Sequence, residues 1–464
     1  MNQSKNIYFK DKFAAFSTPD MLLGPIFQSL IIFAIPEFFS TLLQNLYNTV
    51  DALIVGHVLG ETALAAVGAG GVLVELLVGF ANGAGLGMSM VLAQRYGAED
   101  EEGMKRASAA SLAIGLVLSL TVSCFGLLFL RQILIALNTP DEILAETYNY
   151  TRVIIANILA CFLYNLFCNM LKALGNSLIP LLYLLLSTFM NVVLDLVFVA
   201  GLNRGVQGSA EATVIAQAFS ALLCGIYILK KAPVLIPEKK HFRNSIKLYA
   251  NIAWAGISMG LMNAIVTIGT LILQYAINTL GTLTIVAHTA ARKIYSFGTM
   301  PISALASAIS MFISQNFGAG QYDRMRRAMR DCFIFDVIYA LAVTFLFWQI
   351  AKPAMYLMTG SESQYVIEAG ARYVRFVPPF YMVLGALIQS RFALQGLGQK
   401  ILPMISSVIE LVGKVIFTIM LVPRFGYSAV IVCEPIIWCF MTAQLLISLY
   451  TQPEMRKNAG VKSV

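Results

Sequence analysis

The stretch AQRYGAEDEEGMKRA, residues 93–107, returns without a gap as SQNFGAGQYDRMRRA, residues 314–328, an offset of 221. Gln94, Gly97, Ala98, Met104, Arg106 and Ala107 keep their identities at the second site. The same offset pairs Leu59-Gly60 with Leu280-Gly281, and Ala66 and Ala69 with Ala287 and Ala290. A second pair of words, LKALGNSLIP (171–180) and LQGLGQKILP (394–403), recurs at 223. Matching words at near-constant spacing mean that the chain is two copies of one design.

What is repeated is a set of membrane spans. Of the 464 residues, 58% are hydrophobic and 12% charged, against about 25% charged in a soluble domain. Apolar runs of about 20 residues, enough to cross a bilayer, place twelve helices at 24–50, 54–92, 106–136, 147–171, 178–202, 209–230, 247–279, 282–315, 328–358, 366–396, 399–422 and 427–450. The fold class is thus an all-α integral membrane protein with six helices per copy: an N-terminal lobe at 1–230, a polar linker at 231–246 and a C-terminal lobe at 247–464. Because six is even, both copies keep one orientation. In transporters built from such parallel repeats the substrate site lies near the midplane where the halves meet.

The net charge of +8 is topological. With the termini and the even-numbered connections on one side, that side carries 21 of the 32 Lys and Arg, among them Lys5, Lys10, Lys12, Arg106, Lys240, Arg327, Lys457 and Lys462. The positive-inside rule puts both termini and the linker in the cytoplasm. No basic stripe for nucleic acid is present. The polar, basic start MNQSKNIYFKDKF is unlike a cleavable signal, and the first apolar run should stay as a span. The seven cysteines lie in apolar segments without metal-ligand spacing, and His57, His241 and His288 are scattered, so neither a metalloenzyme nor any cofactor is expected.

Charges inside the spans are functional candidates by default. From Ala173 to Asn203 the only formal charge is Asp195, with Asn191 one turn before it. An ionised carboxylate at that depth costs roughly 2.5–3.5 kcal/mol on insertion scales. Asn191 and Asp195 offer oxygen ligands to a small hard cation, or a carboxyl that holds and releases a proton. Asp51 stands near the expected outer end of helix 1, where water could reach it. Glu37 and Glu75 could face a wet cavity without binding anything, and Glu211 stands near the start of helix 6. Glu410 and Lys414, four apart on helix 11, read as a structural ion pair; Asp336 and Glu434 complete the set. Pro36 breaks one backbone bond in helix 1 and is a hinge candidate. The helix 2 glycines, Gly68, Gly70, Gly71, Gly79, Gly83, Gly85 and Gly87, read as close-packing positions.

LLQNLYNTVDALIVGHVLGETALAAVG (42–68), AQRYGAED (93–100) and NVVLDLVFVAGLNRGVQGSAEAT (191–213), set in twelve helices and two similar halves, resemble the multidrug and toxic compound extrusion (MATE) family over nearly the whole chain. The resemblance implies two six-helix lobes around a central cavity in a V-shaped molecule of the inner membrane. It implies a secondary active transporter, not an enzyme, that exports organic, often cationic, compounds by alternating access against inward Na⁺ or H⁺, and a monomer is expected. In the DinF-like branch the cation site lies in the N-terminal lobe. Its residues match Asp51, Asn191, Asp195 and Thr213 here, which would be the Na⁺ ligands under Na⁺ coupling, and its cavity residues match Gln44, Tyr47, Tyr150 and Asn165. The other bacterial branch uses a helix 7 glutamate, and helix 7 here has no acid. The proline expected near the start of helix 7 is also absent around Ile257 and Ser258. Two acids close together do not both ionise easily, so an inorganic cation or proton and an organic cation would compete for them. The alternative, a flippase of lipid-linked saccharide from the same superfamily, calls for a cavity rich in Arg and Lys, whereas the first-half spans carry acids.

Overall fold

The computed structural model describes residues 19–456, all helix, turn and loop, without a strand among them. Lys5, Lys10, Lys12, Lys457 and Lys462 of the charge count lie outside the described residues, as do the termini. Eleven described helices are long and apolar enough to span a membrane, and a bent pair makes a twelfth. In chain order they are α1 Ile26–Leu59, α2 Glu61–Gly97, α3 Glu101–Ala136, α4 (Asp141–Ala156 with Ile158–Ala173), α5 Leu178–Gly201, α6 Gly205–Lys231, α7 Ile246–Asn278, α8 Thr282–Gly318, α9 Tyr322–Thr359, α10 Gln364–Gly396, α11 Ile401–Phe425 and α12 Tyr427–Tyr450.

Several element boundaries differ from the sequence expectation. α1 does not end at residue 50 but runs on to Leu59, and the turn falls at Gly60, whose φ of 89° is open to glycine. Its repeat partner Gly281 has φ 92° and makes the same turn between α7 and α8. Asp51 is therefore two turns inside its helix and buried, not at a wet end. α4 starts earlier, at Asp141, and bends by 49° around Asn157, whose amide donates back to the Val153 carbonyl at 2.9 Å. α3 and α9 start earlier too, so several basic residues counted as loops sit on first helical turns. Asp100 caps α3 by accepting from the Gly103 N–H at 2.8 Å.

The described chain divides into two compact units, one built on Ile35–Asn263 and the other on Met21–Ala34 with the chain from Ala264 onward. The first pairs α2 with α3 and α4, α4 with α6, and α5 with α6; the second repeats these contacts as α8 with α9 and α10, α10 with α12, and α11 with α12. α5 and α11 each loosen into a wider helical turn, Leu196–Gly201 and Phe417–Leu421. The helices are inside-out relative to a soluble protein. On α5 the buried positions are Pro180, Leu184, Ser187, Asn191 and Asp195, while Leu182, Leu185, Leu186, Phe189, Val193 and Leu196 are exposed. A lipid-facing apolar surface and a polar inner stripe explain that inversion.

The linker is docked rather than loose. His241 is buried, accepts the Glu238 N–H on Nδ1 at 2.8 Å and so donates from Nε2 to Glu102 at 2.9 Å. Lys240 reaches the same carboxylate at 3.1 Å, and Asn244 donates to the Arg106 carbonyl. In the second unit Arg326, the counterpart of Lys105, donates to the carbonyls of Glu454 and Arg456. The linker and the segment after α12 thus hold equivalent helix starts.

Small residues set the closest approach in the first unit. A Cβ on Gly87 would stand 2.8 Å from the Ala255 carbonyl carbon, and one on Gly256 would stand 2.6 Å from Met88 Cε, whereas one on Gly71 would meet nothing within 4 Å. Gly87→Val should therefore destabilise the protein by about 1–3 kcal/mol through overpacking, read as a lower thermal midpoint of the purified protein, with Gly71→Val near wild type. Equal midpoints for the two variants would refute the close-packing role.

Candidate functional site

The sequence candidates of the first unit converge near the C-terminal ends of α1 and α5 and the N-terminal end of α6. Asn191 and Asp195 are 1% and 0% exposed. The four-residue spacing stacks them on the buried face of α5. Neither Asp195 oxygen, nor either polar atom of the Asn191 amide, meets a hydrogen-bond partner among the described residues. Asp51 on α1 lies beside Asp195, and its Oδ1 accepts from the Ser209 hydroxyl on α6 at 2.7 Å. One turn further on α6, Thr213 Oγ1 accepts from the Tyr47 hydroxyl at 2.9 Å. Tyr47 and Tyr150 are both within electrostatic reach of the two acids. Behind them Tyr150 packs with Val55, Ala63, Val67, Ile154, Val206 and Ala210.

Two cavity candidates stand apart from this cluster. Gln44 is an exposed α1 residue. Asn165 is turned along its own helix, its amide donating to the Cys161 carbonyl at 2.8 Å. Of the remaining acids, Glu75 is exposed on α2, Asp336 meets an amide, and Glu37, Glu211, Glu410 and Glu434 are met by bases. Glu37, next to Pro36, is held by Lys172 of α4 at 2.9 Å, and Glu211 by Arg204 at 2.9 Å. In the second unit Glu410 and Lys414 do pair, at 2.9 Å. That pair is one link of a longer chain: Lys414 also reaches Glu434 at 3.6 Å, Glu434 holds Arg292 at 2.6 Å, and Arg391 stands 3.9 Å from Glu410. Asp336 is buried with the Gln389 amide donating to it at 2.9 Å.

Ser209 is the residue that sequence reading missed. The available signal was its place four residues before Thr213 in GSAEAT, which puts both hydroxyls on one face. The chemistry of the set is plain. Two carboxyls, an amide oxygen and a hydroxyl are hard oxygen donors of the kind that hold an alkali cation. The buried atoms left without partners on Asn191 and Asp195 are where such an ion, or a proton on Asp195, fits.

The family model described as MatE matches the chain twice, over residues 36–197 and 259–420. The chain belongs to the MatE family. The two matches begin 223 positions apart, the offset at which LKALGNSLIP recurs, so each half of this MatE chain is one copy of the family unit. Among curated relatives, the probable multidrug resistance protein YoeA of Bacillus subtilis is 27% identical over 349 residues, 74% of this chain and 75% of that protein. The multidrug export protein MepA of Staphylococcus aureus is 24% identical over 431 residues, 92% of each. A solved structure of a multidrug resistance MATE family transporter of the MOP superfamily, in an outward-facing conformation, matches with a TM-score of 0.85 at 23% identity, covering 94% of this chain and 97% of that one. A MOP superfamily transporter from Pyrococcus furiosus matches with a TM-score of 0.82 at 22% identity, over 94% and 98%. The structural likenesses give the fold, twelve helices of the MATE type, and membership of the MatE family makes the chain a multi-span transporter.

The Ser209 bond supplies a test. Ser209→Ala removes a donor from buried Asp51, which should cost about 1–3 kcal/mol and lower the thermal midpoint, whereas Ser209→Thr should keep it near wild type. An unchanged midpoint for the alanine variant would show that Asp51 does not depend on that hydroxyl.

Proposed function

We propose that this MatE chain exports organic, often cationic, compounds from the cytoplasm, driven by inward Na⁺ or H⁺ that binds at Asp51, Asn191, Asp195 and Thr213. The observation that carries the reading is Asp195: it is fully buried in an apolar span, has no hydrogen-bond donor among the described residues, and stands beside a second carboxyl. Other buried acids are met by a base, as Glu37 is by Lys172, or by a hydrogen-bond donor, as Asp336 is by the Gln389 amide and Asp51 by the Ser209 hydroxyl. Asp195 meets neither among the described residues, and an exchangeable cation answers the need that a base or donor answers elsewhere. The names of YoeA and MepA support the drug-export half of the proposal.

Coupling follows from electrostatics. With the two acids charged, the site attracts an organic cation; with Na⁺ or H⁺ bound, that attraction is cancelled. Two ligands that favour differently charged states of one site weaken each other's binding, and alternating access converts this competition into antiport. Tyr47 and Tyr150 supply aromatic wall beside the acids, Gln44 a polar group further along α1, and Asn165 a cavity group only if its amide leaves Cys161. Pro36, one residue past the Ala34–Ile35 division between the compact units, is the proposed hinge, and Ser40 caps its carbonyl with a 2.8 Å bond. The lobes proposed for the motion are 1–230 and 247–464, joined by the docked linker, in a monomer of the cytoplasmic membrane with both termini inside.

Everted membrane vesicles test the reading. Wild type should accumulate a fluorescent organic cation when the lumen is loaded with Na⁺ or acidified, and Asp195→Asn and Asp51→Asn should fall to the level of vesicles without the transporter. Normal transport by both variants under either gradient would remove these acids from the mechanism.

A further inference from the structure

The second unit holds the structural counterpart of the first-unit site, and three features align them. The family unit repeats at 223, which carries Asn191 of α5 onto Lys414 of α11. The buried faces of the two helices agree at that offset: Pro180, Leu184, Ser187 and Asn191 correspond to Pro403, Ser407, Glu410 and Lys414, and all eight are buried. α6 begins at a glycine with positive φ, Gly205 at 60°, and α12 directly follows one, Gly426 at 55°. Eight residues beyond those glycines stand Thr213 in one and Glu434 in the other.

At the first-unit position there are oxygen donors and no base. At the second there is an ammonium, Lys414 Nζ, with Glu410 Oε1 at 2.9 Å, Glu434 Oε1 at 3.6 Å and Thr270 Oγ1 of α7 at 3.1 Å. Lys414 is 2% exposed. Arg292 and Arg391 approach the outer oxygens of the two acids, so the carboxylates are fixed from both sides. The result is a shell of oxygens around a monovalent cation that is covalently attached to the chain.

We propose that Lys414 is a tethered counterpart of the exchangeable cation: the second half keeps its own cation site permanently filled, and ion coupling is thereby confined to the first half. The restriction to the first half rests on the function proposed above; the existence of a latent cation site around Lys414 does not. A merely structural ion pair predicts that removing the lysine destabilises the protein and that nothing small replaces it. A latent cation site predicts replacement. Lys414→Ala removes three methylenes and the ammonium, the outline of n-propylammonium.

Thermal unfolding of the purified full-length protein reads this out, with 1-propanol as the uncharged control. Lys414→Ala should melt below wild type, and propylammonium should restore at least half of the lost midpoint saturably, where propanol does not. Wild type, with its site filled, should show no such gain. If Lys414→Ala is too unstable to purify, the yield of folded protein with propylammonium present gives the same answer. Lys414→Asn in an Asp195→Asn background, which copies the first-half residue into the second half, should gain a saturable Na⁺ stabilisation that Asp195→Asn alone lacks. Absence of a cation-specific gain in both variants overturns the proposal. Because propylammonium rescue is scored without reference to Asp195, failure of the first-half reading would show separately, as a wild-type protein whose midpoint ignores Na⁺ and pH.

Discussion

A carboxylate inside a bilayer has to be met by a positive charge or by a proton, because solvation by lipid supplies neither. The two halves of this MatE chain meet that constraint differently. In the second unit Glu410 and Glu434 are tied to Lys414 and Arg292. In the first unit Asp195 and Asp51 stand side by side with a serine, a threonine and an amide for company, and no base. The features that surround Asp195 read as support for it: a buried stripe on α5 that keeps lipid off the acid, the wide turn that follows it, and hydroxyls on α6 that orient Asp51 and Tyr47.

Much of this was legible in the sequence because the bilayer imposes period and length. Twelve spans and the two-fold repeat follow from apolar run length and from words that recur at 221 and 223. Asp195 stood out because a single charge in a run such as Ala173–Asn203 has no bland explanation along its own helix. The pairing of Glu410 with Lys414 was legible from the four-residue spacing alone.

What was misread had a physical cause in each case. Apolar run length places the end of α1 at residue 50, whereas the helix continues until Gly60 supplies the positive φ that a tight turn needs. The repeat itself held the correction, since Gly281 marks the same turn in the second half. Ser209, Lys172 and Arg292 were not legible as site or pairing residues because their partners lie 158, 135 and 142 positions away in sequence. Contacts of that separation are set by helix packing, which periodicity does not encode. The bend in α4 escaped for a related reason: no proline marks it, and Asn157 acts by a bond to its own helix.

Mutual exclusion between ion and organic cation at Asp51 and Asp195 is the centre of this account. The direct measurement is release: purified wild-type protein equilibrated with labelled Na⁺, or in weak buffer with a pH electrode, is titrated with a lipophilic organic cation such as tetraphenylphosphonium. The account predicts that the organic cation expels Na⁺ or H⁺, that its affinity falls as Na⁺ or acidity rises by the reciprocal factor, and that Asp195→Asn abolishes the release. Binding of the organic cation with one affinity at every Na⁺ concentration and pH, and with no ion released, would contradict it.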